Sequence, residues 1–417
     1  MPIPAPPRIV VVGAGAAGTM AAIAAADAAR GHSPRPEVLL LERTRDGGRK
    51  ILISGGGRCN VLPATVDESR FVTDSSANTL RLMLRNWPHR EQLRFFDQRL
   101  GLGLTLEPES GKLFPRSNRA RDVRDALLRT AHEAGAQLRF EVLVDDVRPT
   151  GSGRWAVCLA GGEVLAADAV VLATGGLSVP TTGSDGTGLR IAGALGHLLH
   201  PTYAALTPLT AHEPAHAALA GISATVTLRA REGRRRHETT GGFLFTHRGY
   251  SGPAVLDLSH LAVRARQRGE PQEITVQWTP HDGAAWDELL QAGGAAHVGT
   301  IVRRVVPERL GDMLLASAGV DGTTPASRLR RDDRRRLVTA LTALPLPWSG
   351  DEGYRKAEVT GGGVALSEVD PRTLESRRHP GLFLCGELLD AFGPIGGYNF
   401  LWAWATGWAA GRGAGGR

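Results

Sequence analysis

Residues 8–29, RIVVVGAGAAGTMAAIAAADAA, constrain the fold more than any other stretch of the 417-residue chain. Residues 9–12 read as a buried strand, the glycines as a turn, and the Ala-rich run as a helix. Gly13, Gly15 and Gly18 then stand in G-x-G-x-x-G spacing, with a strand before them and a helix after. In that context the first glycine permits a tight turn and the second lets a pyrophosphate approach bare backbone. The third lets helix and strand pack closely, while the helix start offers N–H groups and a positive dipole to the anion. A second strand, EVLLLERT, ends in Glu42, 24 positions after Gly18. A carboxylate there accepts both hydroxyls of an adenosine ribose and repels a 2′-phosphate. The pattern predicts an α/β, Rossmann-like sheet that holds FAD or NAD rather than NADP.

Two later stretches favour FAD. AADAVVLATGGLSVP (166–180) is an apolar strand running into Thr174-Gly175-Gly176, a turn that lets backbone pass close to a cofactor. Near the C-terminus, HPGLFLCGELLDAFGPIGGYNFLWAWATGWAAG (379–411) gives a strand, Gly386-Glu387, a loop, Gly396-Gly397 and a closing helix. Gly-acid after a late strand suits ribityl or phosphate oxygens. A helix starting at 397–399 aims its positive end at the flavin N1/C2=O edge, where reduced flavin carries negative charge.

These motifs resemble the BaiN-like, or aminoacetone-oxidase-family, FAD-binding flavoproteins of bacteria. The matching stretches include GAGAAG, GRKILISGGGRCN, GKLFPRSNRARDVRDALL, FLFTHRGYSGPAVLDLS, AEVTGGGVALSEVDPRTLE and GGYNFLWAWATG, spread in order over nearly the whole chain. The resemblance implies noncovalent FAD in a discontinuous domain with a β-insert, interrupted by a β-rich domain and a small helical one. Members oxidise small amines or reduce enone bonds of steroid-like acids. Here the family's Asp-Val-Asp-Gly reads Asp390-Ala391-Phe392-Gly393 and its usual Gln is Leu401, changes that predict a more apolar pocket.

The loop GGRKILISGGGRCN (47–60) follows Glu42 and is expected to cross towards the pyrophosphate and ring. Its glycines allow close approach, Arg58 brings a cation to phosphate or substrate, and Asn60 brings an amide. It lacks the Gly-Lys-Ser/Thr ending of a P-loop. Cys59 is expected as a small residue under the flavin, since no CxxC partner stands near it. Val144, on the first strand of the β-insert, is expected to offer backbone to the adenine. The expected cofactor contacts are therefore Gly13, Gly15, Ala16, Ala17, Gly18, Glu42, Arg43, Arg49, Lys50, Gly55, Gly57, Cys59, Asn60, Val144, Thr174, Gly175, Gly386, Glu387, Gly396, Gly397, Tyr398 and Asn399.

The expected organisation is a first FAD segment over 1–200, a β-rich insertion over 201–283, a helical domain over 284–350, and a second FAD segment over 351–417. For catalysis the candidates are Tyr398 as proton donor, His247 as acid/base, and Arg58 opposite an acidic substrate. No His/Cys/carboxylate cluster has metal spacing, and no G-x-S-x-G is present, which sets aside metalloenzyme and hydrolase chemistry. No second G-x-G-x-x-G follows a strand, so NAD(P)H is expected only as an external electron donor.

Lys plus Arg number 49 against 42 acids, for a net charge of +7. REGRRRHE (231–238) and RLRRDDRRR (328–336) concentrate that charge. Both runs interleave acids, so solvated faces are expected and a nucleic-acid partner is the alternative to a small-molecule substrate. Three cysteines without a disulfide framework fit a cytoplasmic protein. The apolar stretch 9–29 follows PIPAPPR rather than a basic region and contains Asp27, so no leader or membrane anchor is expected.

Overall fold

The computed structural model describes residues 6–212 and 214–417, leaving residues 1–5 of the leader reading outside it. The chain divides into two compact units, one running to Tyr203 and resuming at Glu358, the other spanning Ala204–Ala357.

In the first unit, five parallel strands lie in the order Leu382–Leu384, Ala169–Leu172, Arg8–Val12, Glu37–Leu41, Ala136–Arg139. Val11 stands opposite Val171 on one side and Leu40 on the other, and all three are buried. This is the doubly wound order, whose switch point falls beside the first strand. Strands buried on both faces explain the unbroken apolar runs in the sequence. Antiparallel strands Val144–Pro149, Trp155–Leu159 and Val164–Ala167 form the β-insert.

The first helix, Ala16–Ala28, is buried from Ala17 to Ala26 and packs along the closing helix, Tyr398–Gly415. The packing is legible in side-chain size. A Cβ added at Gly407, Gly411 or Gly415 would lie 2.3, 2.2 and 2.5 Å from the carbonyl oxygens of Ala17, Ala21 and Ala25. One residue per helical turn on each partner is reduced to what backbone contact allows.

The second unit is a seven-stranded antiparallel sheet with helices Pro253–Arg268, Gly283–Ala292, Val298–Arg303, Glu308–Ala318 and Arg331–Ala343. Trp286, Leu310 and Leu337 from the helices share one core with Phe243, Phe245 and Trp278 from the sheet region. The β-rich and helical stretches, expected as separate domains, are one compact unit because neither buries its apolar face alone.

Candidate functional site

At the switch point the three fingerprint glycines have three different surroundings. Gly13 adopts φ +101°, its N–H donates to the Leu41 carbonyl at 2.8 Å, and a Cβ there would lie 2.7 Å from the Ala173 oxygen. A Cβ on Gly18 would fall 1.8 Å from the Gly13 oxygen. Gly15 caps the first helix without a side-chain cap, and a Cβ there would meet nothing within 4 Å. Bare N–H groups of residues 15–18 therefore begin the helix beside open space.

Glu42 is buried and already held. Thr44 donates to Oε1 from its N–H at 2.8 Å and its hydroxyl at 2.7 Å, and the Ala14 N–H donates to Oε2 at 2.8 Å. That uses three of about four acceptor sites of a carboxylate. One is left for a ribose hydroxyl, and accepting both requires Thr44 to give way. Val142 donates to the Glu42 carbonyl at 2.9 Å, which brings the strand containing Val144 alongside. Arg43 is ion-paired with Asp185.

The loop after Glu42 turns on residues with positive φ: Gly55 (+55°), Gly56 (+67°), Gly57 (+84°) and Cys59 (+59°). Arg49 pairs with Asp46 at 2.9 Å. Arg58 turns outward, with its guanidinium 2.9 Å from Glu107 and 4.1 Å above the Phe114 ring. The expected phosphate or substrate cation is thus engaged on a half-exposed surface. Cys59 is fully buried, and burial pushes its thiol up to about 12, so it is no thiolate at neutral pH. With its amide turned to satisfy both ends, Asn60 donates to the Leu62 carbonyl at 3.1 Å and accepts from the Gly397 N–H at 2.9 Å.

The expected partnership of Glu387 with a ligand is preceded by one with Lys50. The ammonium lies 2.7 Å from Glu387 Oε2 and 2.6 Å from the Ser178 hydroxyl. Ser178 donates to Glu387 Oε1 at 2.6 Å, and the Thr360 N–H does so at 2.9 Å. Burial alone raises a carboxyl; the Lys50 charge and these hydrogen bonds outweigh it and hold Glu387 below its ordinary range. One carboxylate thereby joins four separate segments of chain. The adjoining Gly386 (φ +76°) wedges between helices: its N–H donates to Thr406 Oγ1 at 2.9 Å and its carbonyl accepts from the Trp402 indole at 3.0 Å.

At the closing helix, Gly396 and Gly397 take φ +124° and +93°, and a Cβ on Gly397 would lie 2.6 Å from Leu62 backbone. The Asn399 side chain, expected at the cofactor, makes a two-point clasp of Gly393, accepting from its N–H and donating to its carbonyl, each at 2.9 Å. With the side chain so engaged, what Asn399 can offer a ligand is its backbone N–H, alongside those of Tyr398 and Phe400 in the first turn. Tyr398 is buried; its hydroxyl accepts from the Asp67 N–H at 3.2 Å and faces the Thr65 carbonyl at 3.5 Å. The expected proton donor is a packing residue with its proton already directed. His247 sits in the second unit, exposed in the turn before Gly249–Ser251. Phe392 and Leu401, read as making the pocket apolar, are each 2% exposed, with Phe392 edge-on to Tyr203.

Sequence reasoning missed Ser178, Thr360 and Asp390. The buried Asp390 carboxylate accepts from Thr73 Oγ1 (2.9 Å), the Asp74 and Ser75 N–H groups (3.0 and 2.9 Å) and Ser75 Oγ (2.8 Å). Thr-Asp-Ser before a helical run was the available signal, since such residues end loops by capping.

These residues fit a dinucleotide. The helix start at Gly15 is open, Glu42 keeps one acceptor site at the strand end, and the buried Thr174 hydroxyl beside the Gly13 turn has no hydrogen-bond partner among the described residues. Among those residues, no helix is long and apolar enough to cross a membrane, and no group of His, Cys, Asp and Glu is placed to hold a metal.

The HI0933-like protein Rossmann domain model matches residues 7–413. A 3-dehydro-bile acid delta(4,6)-reductase of Clostridium scindens is 33% identical over 413 residues, covering 98% of each chain. A ribosomal RNA dihydrouridine synthase of Escherichia coli is 32% identical over 408 residues, covering 96% of each. Among solved structures, E. coli quinol fumarate reductase FrdA aligns with TM-score 0.51 at 16% identity, over 99% of this chain and 70% of that one, a likeness of fold. The chain belongs to the HI0933-like Rossmann family and is an FAD-dependent oxidoreductase.

Proposed function

We propose, from that membership and from the site's own chemistry, that the chain reduces a carbon–carbon double bond conjugated to a carbonyl. When bound, FAD supplies the hydride chemistry. The chain's residues bind, orient and polarise. In this reading the N–H groups of residues 15–18 hold the pyrophosphate, Glu42 holds the ribose, and backbone beside Val144 faces the adenine. The Lys50–Glu387 pair holds the Gly386 turn in place, and the first-turn N–H groups of the closing helix serve the ring.

The observation that carries the reading is how fully the polar side chains near the two helix starts are committed. Glu387 is taken by Lys50, Ser178 and Thr360, Asn399 by Gly393, and Tyr398 by residues 65 and 67. An enone needs its carbonyl polarised, which backbone N–H groups do without a side chain. Hydride arriving at the β-carbon leaves an enolate, which takes its proton at the α-carbon from solvent. An amine must instead lose a proton before it gives up hydride, and none of these committed side chains is placed to take it. The names of both relatives fit: dihydrouridine is uridine with its ring double bond reduced, and a delta(4,6)-reductase of a 3-dehydro acid saturates bonds conjugated to the ketone. A small to medium apolar enone and a uracil ring within RNA are the two substrates this class allows.

Anaerobic photoreduction followed by mixing tests the reaction. Reduced flavin should be reoxidised stoichiometrically by a 3-keto unsaturated bile acid or by a uridine-containing RNA. Reoxidation by oxygen alone would overturn the reading. NADH and NADPH, tried separately as reductants, test the proposed external donor.

A further inference from the structure

The two arginine runs of the sequence meet different fates in the second unit. In the 328–336 run, Arg334 pairs with Asp287 at 2.7 Å and Arg336 with Asp333 at 2.8 Å. The other four, Arg328, Arg330, Arg331 and Arg335, are exposed and spread around a helix start. The 231–238 run is gathered at one point. It forms the tip of the hairpin made by strands Ser223–Glu232 and Arg235–Thr246, and Arg231, Arg234, Arg235 and Arg236 are all exposed there. Its two acids are occupied by arginines from outside the tip. Glu232 lies 3.9 Å from Arg264 and 3.8 Å from Arg268, and Glu238 lies 2.6 Å from Arg229. Among the described residues no carboxylate comes within ion-pair distance of the four tip arginines.

The strand register sharpens the point. Arg231 stands directly opposite Arg236. Like charges placed opposite one another on an antiparallel pair destabilise it. A hairpin selected only to fold gains nothing from that arrangement, whereas a bound polyanion turns the repulsion into attraction. Behind the arginines the same outward face carries the Arg229–Glu238 pair and then Thr227 opposite Thr240, their hydroxyls 2.8 Å apart. From the tip to that pair the face has donors and no apolar side chain; the exposed Leu244 stands on the same face two pairs further on, opposite Ser223.

We propose that this hairpin tip is a docking surface for the phosphodiester backbone of RNA. The inference rests on the uracil branch of the proposed function. Arginine forks at phosphate oxygens position a nucleic acid without reading its sequence, leaving base selection to the flavin site.

Binding of a fluorescent RNA stem-loop to the FAD-loaded protein, followed by anisotropy across a salt series, tests it. The wild type should bind with a steep salt dependence. The combined variant Arg231→Ser, Arg234→Ser, Arg235→Ser and Arg236→Ser should bind more than about tenfold more weakly, with a salt slope smaller by about 3. The matching quadruple Arg→Lys variant should retain most of the affinity. Flavin absorbance and melting temperature check the fold, and Arg234→Ser alone, at the turn, gives a milder version if the quadruple variant fails to fold. Equal RNA affinity in wild type and Ser variant overturns the proposal, as does tip-dependent binding to anionic lipid vesicles with none to RNA. Reoxidation of reduced flavin by a small enone is measured in parallel. If it persists while RNA binding is absent, the docking surface fails and the reductase stands; if RNA binds tip-dependently but nothing except oxygen reoxidises the flavin, the reductase fails.

Discussion

The first helix and the closing helix run side by side in the same direction, and they begin in opposite ways. Contacts pair Ala17 with Gly407, Ala21 with Gly411 and Ala25 with Gly415. On that register the closing helix starts eight residues, or about 12 Å, ahead of the first. The first start is bare: no side chain caps it, and space opens at Gly15. The later start is laced to its surroundings by Asn60 on the Gly397 N–H and by Asn399 on Gly393. A cradle that takes the ligand's charge must stay empty until the ligand comes. In the proposed reading the laced end sets the field around the redox ring, and such an end must not move when the ring changes charge, because preorganised donors act without reorganising.

The comparison is broken most completely by separating the helices. Gly411→Leu would drive a side chain into the Ala21 carbonyl, which a Cβ alone approaches to 2.2 Å. Overpacking of this kind costs about 1–3 kcal/mol and sometimes more, and backbone contact places this case at the upper end. Urea unfolding should show a large fall in midpoint, with flavin lost in the same transition. An unchanged midpoint would mean that the helices do not depend on this contact.

Next in size is the wedge between them. Gly386 contacts both helices, through its own hydrogen bonds to Thr406 and Trp402 and through a position where a Cβ would lie 2.7 Å from that of Ala17. Lys50→Met leaves the Glu387 carboxylate without its cation; the pair is partly buried, so the loss falls short of the about 3–5 kcal/mol of a fully buried one. The sign with pH is specific. In the wild type the folded-state pKa of Glu387 lies below its ordinary 4.5, so its stabilisation is present above that value and lost as pH falls through the folded pKa. Without Lys50, burial dominates and raises the carboxyl, so this contribution to stability should fall as pH rises through 4.5. Urea midpoints between pH 4 and 7 read the reversal, and adding Glu387→Gln should restore much of the loss. A variant with wild-type pH dependence would sink the pairing.

At the bare start, Glu42→Ala removes the carboxylate that fixes both the Ala14 N–H and Thr44. Hydrogen bonds to a charged group contribute about 1.5–3 kcal/mol each. The protein should purify largely colourless while remaining folded. FAD affinity equal to wild type would show that the ribose is held elsewhere.

How much of this was legible beforehand follows the same division. The bare start is written locally: strand, glycines, helix and Glu42 lie within residues 8–42, and each glycine's role follows from backbone geometry. The parallel strands read through because strands buried on both faces are apolar throughout. The laced start is not local. Asn60 reaches Gly397 across 337 positions, Lys50 reaches Glu387 across 337, and Thr73 and Ser75 reach Asp390 across more than 300. Gly-Gly-Tyr-Asn announces a helix start, but which groups its side chains satisfy depends on what the fold brings near. Tyr398, Arg58 and His247 drew attention for their chemistry; the fold buries Tyr398, pairs Arg58 with Glu107 and leaves His247 exposed in the second unit. The interleaved acids of the 231–238 run suggested a solvated face, whereas Arg229 across the hairpin and Arg264 and Arg268 of the following helix hold those acids.

The smallest change separates lacing from ligand contact. Asn60→Ala frees the Gly397 N–H and the Leu62 carbonyl, and makes the closing start resemble the first. Loss of a side-chain cap costs about 1 kcal/mol. If Asn60 only holds the helix end, the urea midpoint should fall modestly while FAD titration stays within about twofold of wild type, since RT ln 2 is small against a cap. The two-electron potential should then drift slightly, because the donors proposed to face the ring are less firmly fixed. A loss of FAD affinity beyond about tenfold, with stability unchanged, would instead place the Asn60 amide itself on the cofactor. The two helix starts would then be one continuous cradle, and the contrast between them would be a feature of the ligand-free chain alone.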